Sequence, residues 1–150
     1  MSTVRITKEF SFEMSHALPG YDGACSQIHG HSYRLFVTVK GSPQADTADP
    51  KYGMVMDFGM LKRIVNKSIV NRYDHALMIR ATDGNADLIE ALTRTMERVI
   101  VVDNQPTCEN LVLDFAKTLS REFPANIALH SLRLHETATS FAEWFAEDNI

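Results

Sequence analysis

The sequence predicts an α+β fold built on an antiparallel sheet. Three observations carry that prediction. Strand-like segments come in pairs, at 4–14 with 32–40 and at 127–136 with 140–145. Apolar residues at helical spacing fill much of the chain between the pairs. The 150 residues suit one domain, 1–150. A chain of that size buries roughly 68–70% of its unfolded surface and needs no staples.

In residues 4–14, Phe10, Phe12 and Met14 alternate with Ser11 and Glu13. In 32–40, Tyr33, Leu35, Val37 and Val39 share one face, against Arg34, Thr38 and Lys40 on the other. "GSPQADTADPKYG", 41–53, reads as a long surface loop, and 53–57 as a short third strand. Asp57 is a helix N-cap, followed by Phe58, Leu61, Ile64, Val65 and Ile69 at helical spacing. A second, short helix is expected near 86–97 through Leu88, Ile89, Leu92 and Met96. "RVIVVD", 98–103, reads as a buried strand. Thr107 caps a third helix that turns Leu111, Val112, Phe115, Ala116 and Leu119 inward.

The totals narrow the function classes. A net charge of −4 and the lack of a basic stripe argue against nucleic-acid binding. No apolar run approaches the roughly 20 residues that span a bilayer, and the first ten residues hold no signal-like apolar segment. Two cysteines are too few for a disulfide scaffold, so a cytoplasmic location is expected.

"CSQIHGH", Cys25 to His31, is the most chemical stretch of the chain. If the second strand begins at 29, His29 and His31 share the apolar face with Tyr33 and Leu35. His16 shares the parity of Phe12 and Met14 on the first strand. Pairing of these strands would bring three imidazoles together, the ligand set of a catalytic zinc with an open fourth position. The competing reading makes each histidine a hydrogen-bonded core or loop residue. Three roles stay open for Cys25: a fourth ligand, a structural thiol, or a base beside the metal.

Asp74 and His75 follow the first helix in "YDHAL". An aspartate beside a histidine can fix its tautomer, but neighbours in an extended chain point to opposite sides. A plain helix-terminal turn accounts for the pair equally well. Glu136 has the parity of Leu132 and Leu134, which puts a carboxylate on a buried face unless the strand ends first. Such a carboxylate can accept two parallel N–H donors. Thr107 and Glu109 begin a helix whose exposed N–H groups can hold a polar ligand. Cys108 reads as a packing residue, and His130 and His135 as ordinary ones.

Together, "FSFEMSHAL", "CSQIHGHSY", "MVMDFGMLK", "YDHALM", "PTCENL" and "LHETATSF" resemble the 6-pyruvoyltetrahydropterin synthase family from about residue 5 to about 145. The three-residue gap between Cys25 and His29 is similar to its bacterial 6-carboxytetrahydropterin synthase branch. The resemblance implies a tunnelling fold, with helices packed on one face of the sheet and subunits joined into a barrel. It implies a homohexamer of two trimers with active sites at subunit interfaces. It implies zinc on His16, His29 and His31, Cys25 as proton acceptor, and Asp74 with His75 as a relay that can serve a neighbouring subunit. Glu136 would anchor the pterin ring, with Thr107 and Glu109 lining the pocket. The implied reaction converts 7,8-dihydroneopterin triphosphate to 6-carboxytetrahydropterin, a precursor of queuosine. Competing outcomes are a pyruvoyl-forming synthase, an aldolase acting on dihydroneopterin, and a non-catalytic zinc-stabilised oligomer. Two stretches, 41–53 and 80–105, lie largely outside the motifs.

Overall fold

The computed structural model describes all 150 residues. Six strands form one sheet in the order β4-β3-β1-β2-β5-β6. They are β1 (Val4–Ala17), β2 (His29–Gly41), β3 (Ala76–Arg80), β4 (Val99–Val102), β5 (Ala128–Thr137) and β6 (Ser140–Phe145). The four strands β1, β2, β5 and β6 are antiparallel neighbours, as the paired patterns predict.

The sheet as a whole is mixed, because β3 lies parallel to β1 and β4 parallel to β3. β3 has no counterpart in the expected elements. Its run Ala76–Ile79 is apolar without alternation, and three of its five residues are buried. A strand covered on both faces shows no period of two, so the pattern search passes over it. The expected strand at 53–57 is absent. Gln44 and Met54 instead close the loop with backbone hydrogen bonds, and Gly53 takes a φ of 80°.

The helices lie on one face. α1 (Phe58–Val65) runs through a π turn (Asn66–Val70) into the short α2 (Asn71–Tyr73). Asp57 caps α1 by accepting from the Gly59 N–H at 2.8 Å. α4 (Cys108–Leu119) begins at Thr107, whose hydroxyl accepts from the Asn110 N–H at 3.2 Å. Phe10, Phe12 and Met14 of β1 and Tyr33, Leu35, Val37 and Val39 of β2 meet Leu61, Val65 and Ile69 and the inward face of α4. Phe12 and Tyr33 stack with centroids 5.1 Å apart. Each buried Leu, Val or Phe contributes about 1.5–3 kcal/mol of transfer free energy. α3 (Ala86–Thr95) forms where expected and bridges β3 to β4, but buries none of its residues. No helix is long and apolar enough to cross a membrane.

Candidate active site

The register of β1 on β2 assembles the histidines. β1 continues to Ala17 and β2 starts at His29, so both strands reach the residues in question. His16 lies opposite His29, and Met14 opposite His31. Residues of one parity face the helices, so the three imidazoles gather at the inner edge of the core. One ligand nitrogen from each lies within 4.8 Å of the others. No thiol belongs to this cluster.

Two backbone carbonyls set the ring tautomers. His16 donates from Nδ1 to the Pro106 carbonyl at 2.7 Å, and His29 donates from Nδ1 to the Gln27 carbonyl at 2.7 Å. In neutral rings both Nε2 atoms then carry lone pairs. Those atoms face each other at 3.0 Å. Two lone pairs at that distance need a proton or a metal ion between them. Burial, the largest influence, pushes His16 below the usual imidazole range, which disfavours the proton. Burial also lowers His31, whose Nε2 is buried with no hydrogen-bond partner. These features fit a divalent ion bound by three neutral imidazoles. Tyr33 stands behind the cluster with its hydroxyl 3.5 Å from His16 Nδ1.

Glu136 joins the histidines. Its Oε1 lies 3.4 Å from Nε2 of both His16 and His31. The β5–β6 register shifts between His135 and Thr137, so Glu136 falls at a bulge and keeps the inward direction of Leu134. Cys108 docks the start of α4 beside it, donating from Sγ to the Leu134 carbonyl at 3.2 Å. Burial raises that thiol to about 11, in keeping with a packing residue. Thr107 and the exposed Glu109 thus enter the neighbourhood of Glu136, although the Thr107 hydroxyl is already engaged as a cap.

Cys25 occupies a 3-10 turn, Ala24–Ser26, in the loop joining β1 to β2. The Leu18 N–H donates to its carbonyl at 3.0 Å, tying the turn to the chain just past His16. The residue is half-buried, and its thiol is free.

Asp74 and His75 contact each other directly, contrary to the extended-chain expectation. His75 takes a φ of 62°, which folds both side chains to one side and leaves Asp74 Oδ2 3.0 Å from His75 Nδ1. The Glu13 N–H, the largest influence, and the His75 ring hold Asp74 below the usual carboxylate range. His75 borders a shallow groove of about 340 Å³ on the open face of the sheet, with Glu13, Ser15, Gly30, His31 and Ser32. No hydrogen bond or ion pair joins the Asp74–His75 pair to Cys25 or to the three imidazoles within the chain. A separate cavity of about 480 Å³ lies under the 41–57 loop beside Met56 and Met60 and holds no predicted site residue.

The carbonyls of Pro106 and Gln27 and the ring of Tyr33 were not legible as site residues. A main-chain acceptor has no side-chain signature, and Tyr33 reads as plain core.

Residues 5–147 match the family model described as 6-pyruvoyl tetrahydropterin synthase. The chain is 36% identical over 141 residues to the 6-carboxy-5,6,7,8-tetrahydropterin synthase of Haemophilus influenzae, covering 93% of this chain and 97% of that one. It is 33% identical over 141 residues to the protein of the same name from Synechocystis sp., covering 94% and 92%. Among solved structures, an uncharacterized protein from Wolinella succinogenes matches with a TM-score of 0.75 at 20% identity, over 97% of this chain and 99% of that one. The 6-pyruvoyl tetrahydropterin synthase of Caenorhabditis elegans matches with a TM-score of 0.66 at 22% identity, over 97% of each chain. Likeness at such identities shows the shared fold.

Proposed function

The chain belongs to the 6-pyruvoyl tetrahydropterin synthase family, and from that premise we propose that it is a 6-carboxytetrahydropterin synthase. The reaction takes 7,8-dihydroneopterin triphosphate and water to 6-carboxy-5,6,7,8-tetrahydropterin, acetaldehyde and triphosphate. The convergence of three Nε2 atoms with one carboxylate carries this reading, alongside the two curated relatives of that name.

His16, His29 and His31 would hold zinc. Bound there, zinc supplies Lewis acidity toward oxygens of the substrate side chain. Glu136 fixes the pterin ring through paired hydrogen bonds from ring N–H groups, so the side chain is presented at a constant angle. Thr107 and Glu109 line the same end of the pocket. Cys25, as thiolate, accepts a proton from a side-chain carbon. Its loop position and partial exposure support that role over a packing role.

His75 relays the proton, with Asp74 holding its ring. His75 stands on the open face, and its side chain is 74% exposed. That exposure supports a relay that serves the Cys25 of a second copy, in a homohexamer of two trimers. The protein works on a small pterin, without nucleic acid or membrane.

Incubation with 7,8-dihydroneopterin triphosphate, followed by mass analysis of the pterin and assay for acetaldehyde, tests the reaction. The carboxylated pterin and acetaldehyde are expected in equal amounts. A pyruvoyl pterin without acetaldehyde would assign the other branch, and no turnover with zinc present would end the enzymatic reading.

A further inference from the structure

Arg98 immediately precedes β4, inside the 80–105 stretch that the family motifs leave unaccounted for. Its guanidinium makes three hydrogen bonds, all to main-chain carbonyls at the end of α2. Nε donates to the Asp74 carbonyl at 2.9 Å, and one terminal nitrogen donates to Asn71 at 2.7 Å and to Arg72 at 3.1 Å. The Arg98 carbonyl accepts from the Leu77 N–H at 2.8 Å. One residue therefore grips the chain on both sides of His75.

The segment needs such a grip. Asp74 leaves the helix with ψ 127°, and His75 follows with φ 62°. A non-glycine residue in that region is strained and persists only where its surroundings hold it. Glu13 holds one side: its N–H donates to Asp74 Oδ1 at 2.9 Å, and its carbonyl accepts from the His75 N–H at 2.6 Å. The helix end presents unpaired carbonyls and the negative end of the dipole on the other side. A planar fork of N–H donors meets several carbonyls at once, which a lysine ammonium on a flexible stem does not.

We propose that Arg98 is a positioning residue, bracing the backbone turn that aims Asp74 and His75 together. The inference rests on the proposed relay role of that pair. It gives the segment between β3 and β4 a use: carrying a guanidinium back to the turn between α2 and β3.

The zinc-loaded enzyme with Arg98→Lys or Arg98→Ala tests it. Both variants are expected to keep wild-type zinc content and a KM within about twofold, while kcat falls roughly 10- to 100-fold, as for misplaced catalytic groups. Hydrogen exchange at the His75 and Leu77 amides is expected to speed up. Added guanidinium ion, at low millimolar concentration, is expected to restore part of kcat to Arg98→Ala. Wild-type kcat in Arg98→Lys, or activity lost only in step with the folded fraction while exchange at 75–77 is unchanged, would overturn the proposal. Exchange needs no turnover, so it tests the brace even if the wild-type enzyme is inactive on the proposed substrate. Should Arg98→Ala fail to fold, Arg98→Lys decides by the same measurements.

Discussion

Replacing His31 with alanine separates what the metal contributes to stability from what the imidazole contributes alone. His31 Nε2 is buried with no hydrogen-bond partner, and Glu136 Oε1 stands 3.4 Å away. Such an orphan costs about 1–3 kcal/mol. Truncation removes that cost and forfeits the ring's packing, with centroids 5.1 Å from His16 and 4.9 Å from His29. The lost packing is worth roughly 1–3 kcal/mol, so the two effects oppose each other and leave a net change under about 2 kcal/mol. Zinc at 100 times its Kd stabilises the wild type by about 2.7 kcal/mol, or about 5–11 °C in Tm for a chain of this size. The variant, with two imidazoles left, should gain less than about 2 °C. The assay is thermal unfolding with chelator and with zinc, at one protein concentration, with zinc content measured on both proteins. His16→Ala is the contrast. It breaks the bond to the Pro106 carbonyl and empties a buried site, so it should destabilise by about 2–4 kcal/mol even without metal. Stoichiometric zinc in His31→Ala, or equal zinc shifts in variant and wild type, would refute the reasoning.

Cys25→Ala should keep stoichiometric zinc and lose turnover by about 10²–10⁴-fold, the usual worth of a positioned base. Loss of zinc in that variant would make Cys25 a ligand instead. Glu136→Gln should retain zinc and raise KM by roughly 10-fold or more, since charge-assisted hydrogen bonds are worth about 1.5–3 kcal/mol; steady-state kinetics with unchanged KM would remove Glu136 from ring binding. Asp74 has a depressed pKa, so its contribution to stability is complete above the unfolded value of ~3.9 and is lost as pH falls through the lower folded value. Urea midpoints of wild type and Asp74→Asn should therefore differ at pH 6 and converge below ~3.9; a constant gap across that window would contradict the assignment.

The candidate metal site was legible because strand parity is a local rule. His29 and His31 had to share a face with Tyr33, and His16 with Phe12 and Met14, wherever the strands lay. Asp57 and Thr107 were legible as caps for the same reason, since a cap acts within three residues. β3 was not legible, because burial on both faces erases the alternation that marks a strand. The Asp74–His75 contact was not legible from the residues alone because it depends on one backbone angle, and that angle is held by Glu13 and Arg98, 61 and 24 residues away from Asp74.

The sequence by itself determined which side chains of β1, β2 and α4 point inward and where most helices and strands lie, through periodicities that span a few residues. Only the tertiary structure decided that His16 lies opposite His29, that Pro106 and Gln27 turn two lone pairs toward one point, and that Asp74 and His75 pair with each other and not with the imidazoles. Those facts depend on register, on main-chain carbonyls and on which face of the sheet the helices cover. None of these has a signature in the neighbouring residues, because each is settled by partners distant in the chain.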